Sequence, residues 1–293
     1  MKKRLLCAMA ATLVATALVV GCGSSTEETT SEVTTEITEE AVAEEIAEEV
    51  ADDTTTESRT LIVGFDAEYP PYGYMDDNGE YTGFDIEMAK LVCESLGWEF
   101  VAKPIDWDSK DMELESGTID CIWNGFSLTP EREDMYTWSA PYVDNSQVIV
   151  VAADSGIESL ADLAGVNVIV QAGSSALEAL NSDDCADLTA TFGSLIEIAD
   201  YNSAFMNLEA GAADAVAVDI GVAEYQVAAR EEGAYVILDE AFYSEPYAIG
   251  YRLEDTELRD IVDAEIMKFV QDGTYEALAV EFGIDTAMLA LLD

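Results

Sequence analysis

The chain has 293 residues, 61 acidic side chains against 12 basic ones and no histidine, for a formal charge of -49. A surface this acidic repels nucleic acid and other polyanions, and the lack of histidine removes Ser-His-Asp and Cys-His nucleophiles along with every histidine-containing metal site. The five cysteines, Cys7, Cys22, Cys93, Cys121 and Cys185, show no C-x-x-C spacing, so no zinc site or redox pair is indicated. Cys93, Cys121 and Cys185 fall in apolar patterns that suit small buried hydrophobes, and spacing leaves a Cys93–Cys121 disulfide open. No cofactor or metal is implied.

Lys2-Lys3-Arg4 followed by the apolar run 5–20 has the basic and hydrophobic regions of an export signal, read here as residues 1–21. Its end, Leu18-Val19-Val20-Gly21-Cys22, resembles the bacterial lipobox, which implies that Cys22 is diacylated and becomes the first mature residue. The alternative, an uncleaved membrane helix, is disfavoured by a run short for a bilayer. Residues 22–57 read as an acidic tether. From Gly23 to Glu57 there are 13 acidic residues and no basic one, too little apolar surface to order a chain. Val33, Ile37, Val42, Ile46 and Val50 lie near helical spacing, but Glu40, Glu44 and Glu48 place like charges at i,i+4.

From Arg59 the pattern is globular. A strand over 61–66 is followed by Ala67-Glu68-Tyr69-Pro70-Pro71-Tyr72, and Asn78-Gly79 marks a β-hairpin. The nearby Asp76, Asp77 and Glu80 lack EF-hand spacing. A helix over 85–96 stops at Gly97, with Ile86, Ala89, Leu91 and Val92 facing a core; a strand over 98–102, a helix over 108–115 and a strand over 118–123 follow. That last strand opens into Asn124-Gly125-Phe126-Ser127-Leu128-Thr129-Pro130-Glu131-Arg132, where open α/β sheets place ligand crevices. Gly125 permits close backbone approach, Ser127 and Thr129 offer hydroxyls, and Arg132 offers a planar fork suited to a carboxylate. The plain alternative is a surface turn with Arg132 paired to a neighbouring acid.

A repeat organises the rest. Leu114-Glu115-Ser116-Gly117-Thr118-Ile119-Asp120-Cys121-Ile122 recurs as Leu208-Glu209-Ala210-Gly211-Ala212-Ala213-Asp214-Ala215-Val216, so two lobes share one plan. The second copy runs into Asp219 where the first runs into Asn124 and Ser127. The strand 166–171 ends in Gln171 and turns through Ala172-Gly173-Ser174-Ser175 into a helix over 176–180, a helix amino terminus that either binds an anion or is simply capped by serine. Crossings near Asn145 and at 243–251 make a hinge, and helices over 257–271, 275–282 and 286–292 cover the first lobe.

Taken in order, these stretches resemble the extracytoplasmic solute-binding proteins of polar amino-acid ABC importers, the glutamine-binding and lysine/arginine/ornithine-binding kind, over roughly 59–282. The resemblance implies an α/β, two-lobed type II periplasmic-binding fold with a two-strand hinge: one lobe from 58–144 and 245–293, the other from 145–244. It implies that Arg132, with Ser127 and Ser175, grips the ligand α-carboxylate and that Asp219, with the backbone near Gly125, receives the α-ammonium. Tyr69 and Trp107 match positions that sandwich the ligand side chain, and Asp66 matches the one touching its far end. Asn124, Gln171 and Ser174 complete the candidate set; Asn124-Gly125 stand where several members carry two small hydroxyl residues.

The bottom-up chemistry points the same way, since an amino-acid zwitterion needs one cation and one carboxylate, and each lobe offers one. The expectation is a monomeric receptor, lipid-anchored through Cys22 on the extracytoplasmic face of the cell membrane, that passes a polar amino acid, leaning basic, to a membrane permease. Glutamine or cystine is the alternative ligand. A dehydratase on the same fold, with Glu68 or Glu245 as its acid, or a sensor acting through a partner, are the alternative functions.

Overall fold

The computed structural model describes residues 59–292, so the signal, Cys22 and tether expectations lie outside the described residues. Two α/β lobes carry separate sheets. In the first, strands β1 (Thr60–Phe65), β5 (Glu99–Pro104), β6 (Cys121–Ile122), β7 (Thr137–Trp138) and β14 (Gly250–Tyr251) run in the order β5-β1-β6-β14-β7. The β1 strand is parallel to β5 and β6, whereas β14 is antiparallel to β6 and β7. Helices α1 (Phe84–Leu96), α7 (Thr256–Asp272) and α8 (Thr274–Glu281) pack together on this lobe. In the second lobe, β8 (Val143–Ala152), β9 (Asn167–Gln171), β10 (Ser194–Ile198), β11 (Ala215–Asp219) and β12 (Tyr235–Ile237) run in the order β10-β9-β11-β8-β12.

The lobes are joined where β13 (Tyr243–Tyr247) pairs antiparallel with the start of β8, from Tyr243 opposite Gln147 to Tyr247 opposite Val143. Two extended, mutually hydrogen-bonded segments bend together more easily than a packed helix would, which suits a hinge.

Local sequence explains the main elements. Helix α1 begins with Asp85 and Glu87 in its first turn and stops where Gly97, at φ 69°, donates its amide to the Cys93 and Glu94 carbonyls. Its buried face is Phe84, Ile86, Met88, Ala89, Val92 and Cys93; Leu91, expected inside, is only half-buried because it lies at the edge of that stripe. The Asn-Gly hairpin forms between β3 (Gly73–Met75) and β4 (Tyr81–Thr82), with β2 (Glu68–Tyr69) paired to β3. Asp76 stabilises that turn by accepting the Asn78 and Glu80 amides at 2.9 and 2.8 Å.

The internal repeat holds at the level of single hydrogen bonds. Helices α2 (Lys110–Glu115) and α5 (Tyr201–Glu209) end alike, with Gly117 and Gly211 at φ 74° and 68°. The Thr118 amide returns to the Glu113 carbonyl as Ala212 returns to Asn207. Asp120 accepts the Ile62 amide at 2.8 Å and Asp214 the Asn167 amide at 3.0 Å, tying the first copy to β1 and the second to β9. The first copy departs from expectation in two places. Residues 118–120 close the turn, so β6 is shorter than 118–123, and the expected helix over 108–115 starts as a 3₁₀ turn, Trp107–Ser109, before α2.

Cys93, Cys121 and Cys185 are buried and free. Among the described residues no cluster of metal ligands occurs, and no helix is long and apolar enough to cross a membrane.

Candidate functional site

The strand ends of both lobes meet at one cleft. Nine of the eleven candidate residues, Tyr69, Trp107, Gly125, Ser127, Arg132, Gln171, Ser174, Ser175 and Asp219, line a single narrow cavity of about 10 Å³. Arg132 is 3% exposed, lies over the Phe126 ring at 5.1 Å and donates to the Ser127 carbonyl at 3.4 Å. It also reaches the second lobe, donating to the Gly173 carbonyl at 3.2 Å and to Glu178 of α3 (Ser175–Asn181) at 3.1 Å. Ser127 and Ser175 face each other across the cleft with hydroxyls 2.8 Å apart. Ser174 is the N-cap of α3, accepting the Leu177 amide at 3.1 Å. A serine cap thus forms, and the neighbouring Ser175 still faces the cavity.

Asp219 ends β11 as a buried carboxylate. Its Oδ1 accepts from Gln147 at 2.6 Å, Asn145 at 2.7 Å and the Tyr247 hydroxyl at 2.8 Å. Burial pushes its carboxyl above the usual range, and these donors pull against that rise. Asp66 does not line the central cavity. It lines an adjoining, more open compartment of about 400 Å³ shared with Trp107, Glu68, Asp106 and Asp200. Burial lifts its carboxyl to about 6, against hydrogen bonds from the Glu68 amide at 2.9 Å and the Gln171 amide group at 2.6 Å. Trp107 borders both spaces.

Asn124 also stands away from the cavity. Its side chain is buried against Gly73, where a Cβ would meet its Oδ1 at 2.2 Å. What the Asn124-Gly125 pair does is set the loop: Gly125 takes φ 54°, and a Cβ there would lie 2.9 Å from the Tyr69 ring.

Several residues escape sequence reasoning. Asp85, legible only as a helix-start acid, is fully buried and accepts the Gly125 amide at 2.6 Å and the Tyr142 hydroxyl at 2.8 Å, holding the loop in place. Lys110 is 6% exposed, sits 5.5 Å from the Trp107 ring centre and donates to the same Gly173 carbonyl as Arg132, at 3.3 Å. Desolvation, then the Arg132 charge, lowers its pKa. Asn145 and Gln147 on β8, with Glu245 and Tyr247 on β13, form a polar floor under Asp219. The sequence does not set them apart, since 144–147 are all polar and the alternation is in burial alone.

Two lobes on a paired-strand hinge, closed over a cavity that carries a cation from one and a carboxylate from the other, define a type II periplasmic solute-binding architecture. The chain belongs to the bacterial extracellular solute-binding proteins, family 3, whose profile matches residues 61–284. It is 30% identical over 232 residues to the L-cystine-binding protein TcyJ of Escherichia coli, spanning 78% of this chain and 85% of that protein. It is 29% identical over 222 residues to the arginine-binding extracellular protein ArtP of Bacillus subtilis, spanning 75% and 84%. Among solved structures, a histidine-bound substrate-binding protein of an ABC uptake transporter from Streptococcus pneumoniae superposes with a TM-score of 0.75 at 30% identity, over 79% of this chain and 94% of that one.

Proposed function

We propose that this chain captures a free polar amino acid outside the cytoplasm and delivers it to the permease of an ABC importer, making and breaking no bond. The observation that carries the reading is the placement of Arg132 and Asp219 on one cavity from opposite lobes. Arg132, Ser127 and Ser175 would take the α-carboxylate, Asp219 the α-ammonium, and Tyr69 and Trp107 the side chain. Only a closed cleft lets both charges act on one molecule, so ligand shifts the population toward closure. The acids around the outer compartment, Asp66, Glu68, Asp106 and Asp200, favour a cationic side chain. The arginine- and histidine-binding relatives are consistent with that class, while the cystine-binding relative supports cystine as the alternative ligand. Anchoring through Cys22, a tether over 22–57 and a monomeric state belong to the same proposal.

A dehydratase reading has one observation in its favour: an ancestral amino acid-binding protein described as a precursor of cyclohexadienyl dehydratase superposes with a TM-score of 0.69 at 33% identity. Its acid candidates fit poorly, because Glu68 is exposed and Glu245 lies beneath Ser127 and Gln147, outside the cavity lining. A thermal-shift screen of refolded protein against the amino acids plus ornithine, citrulline and cystine tests the proposal. A ligand at one hundred times its Kd adds about 2.7 kcal/mol. A shift cut to about a third or less by Arg132→Ala is expected, and intact ligand after long incubation separates receptor from enzyme. No shift with any amino acid refutes the reading.

A further inference from the structure

The floor of the cleft holds two carboxylates with no cation between them. Glu245 is 6% exposed and Asp219 2%, and Oε1 of one and Oδ1 of the other both lie within 2.7 Å of the same Gln147 amide nitrogen. Asn145 Nδ2 bridges the same two oxygens at 3.2 and 2.7 Å. Gln147 Nε2 also lies 3.1 Å from the Ser175 hydroxyl, so its two N–H groups face three acceptors. Acceptors are in surplus elsewhere too: Glu245 Oε2, Gln147 Oε1 and Asn145 Oδ1 are buried without a donor.

The surroundings cannot neutralise this pair. Tyr69 from β2, Tyr201 from α5, and Tyr243 and Tyr247 from β13 all have their pKa raised, so they stand as neutral phenols. Asp66 contributes further negative charge near Tyr201. Arg132 donates to the Ser127 and Gly173 carbonyls and to Glu178, and Lys110 to Gly173. Among the described residues no lysine or arginine hydrogen-bonds either carboxylate. Two buried carboxylates sharing donors this closely cannot both ionise without large cost, and such a pair titrates as a unit. Burial, and then the Asp219 charge, push Glu245 up to about 7, in keeping with that geometry.

We propose that Asp219 and Glu245 hold one proton between them in the empty protein and that the ligand ammonium displaces it, so that capture releases a proton. This rests on the amino-acid reading above. The charge balances: the protonated pair carries one negative charge, and after capture two carboxylates and one ammonium carry the same, with the proton passing to solvent. Because Glu245 lies directly opposite Asn145 on the paired strands β13 and β8, with Gln147 opposite Tyr243, the exchange occurs inside the hinge itself. Glu245 is then a positioning residue that keeps Asp219 from standing as a bare buried anion before ligand arrives.

Two measurements test this. Infrared spectra of ligand-free protein just below neutral pH, counting protonated-carboxyl stretches, compare wild type with the near-isosteric Asp219→Asn/Glu245→Gln double variant. Loss of one protonated carboxyl is expected; loss of none, or of two, overturns the proposal. Calorimetry with L-arginine in two buffers of different ionisation enthalpy then reads the proton count of binding. Wild type should release close to one proton more per ligand than Glu245→Gln, a comparison that cancels any contribution from Asp66. Equal counts in the two proteins overturn the coupling. Failure of the amino-acid reading shows separately, as the absence of any thermal shift, and the carboxyl count decides the pair regardless.

Discussion

Arg132 of the first lobe and Glu178 of the second form an ion pair across the closed cleft, with 3.0 Å between nitrogen and oxygen. The guanidinium side chain is 4% exposed while the glutamate is 36% exposed, so the partner is partly solvated. Removing a buried, hydrogen-bonded charge from a binding site costs about 2–5 kcal/mol, so Arg132→Ala should weaken amino-acid binding roughly thirtyfold or more. Lysine cannot reproduce three donors in one plane, and Arg132→Lys should recover little. Titration calorimetry measures both; wild-type affinity in either variant would remove Arg132 from the site.

How far the sequence carried can be judged at particular residues. The placement of Ser175 and Asp219 at the cavity was legible because one opens a helix and the other ends a strand, with the 114–122 and 208–216 repeat pointing to Asp219. Ser127 and Arg132 lie in the loop past β6 and were singled out by their residue types and by the family resemblance. Asp85 and Lys110 were not, since each looks like an ordinary helix residue until folding brings Gly125 to one and Gly173 to the other. Asn124 shows the converse: a polar residue next to the binding loop turns inward against Gly73, because backbone direction, not residue type, decides which side of a loop faces the cavity.

Asp66 should govern discrimination among ligands more than affinity for the amino-acid head. It opens onto the outer compartment beside Glu68, Asp106 and Asp200, away from Arg132 and Asp219. Asp66→Asn should therefore weaken arginine by about tenfold, the scale of one charge-assisted hydrogen bond, while changing glutamine by much less. Equal losses for the two ligands would show that Asp66 supports the fold and does not read the side chain.

Lys110 predicts opposite effects on stability and binding. Lys110 is buried against a carbonyl and an indole, with no carboxylate within ion-pair distance among the described residues; desolvation and the Arg132 charge outweigh the more distant pull of Asp111, Glu178 and Asp108. Lys110→Met should raise the melting temperature of the ligand-free protein. A ligand carboxylate near the Gly173 carbonyl would lose a second cation, so affinity should fall about tenfold. An L-amino-acid amide in place of the acid should erase the difference between variant and wild type; an undiminished difference would rule out carboxylate recognition.

Gly221 at the start of α6 (Ile220–Ala228) abuts Tyr72 of the first lobe, and a Cβ at position 221 would lie 2.5 Å from the tyrosine oxygen. Gly221→Ala should oppose closure and weaken binding. Tyr72→Phe should restore part of the loss, since that hydroxyl is buried without a partner and its removal relieves the nearest contact. The check is small-angle scattering with and without ligand, alongside Kd. A double variant no better than Gly221→Ala would place the defect in the helix, not at the interface.

The buried carboxyls set an unusual sign for stability against pH. Burial first lifts Asp85 and Glu245 to about 7 and Asp66 and Asp263 to about 6, above the values near 4 of exposed acids. In that window the folded protein binds more protons than the unfolded chain, so stability falls as pH rises from about 4 through 7 and levels off above. Self-repulsion in a chain of charge -49 acts in the same direction. Ligand-free protein should melt at a higher temperature at pH about 5 than at pH about 8. Asp85→Asn removes one titrating group that is fully buried, and its melting temperature should depend less steeply on pH across the same range. A profile that rises with pH, as it does where buried carboxylates are paired with cations, would mean that these acids are ionised in the native state.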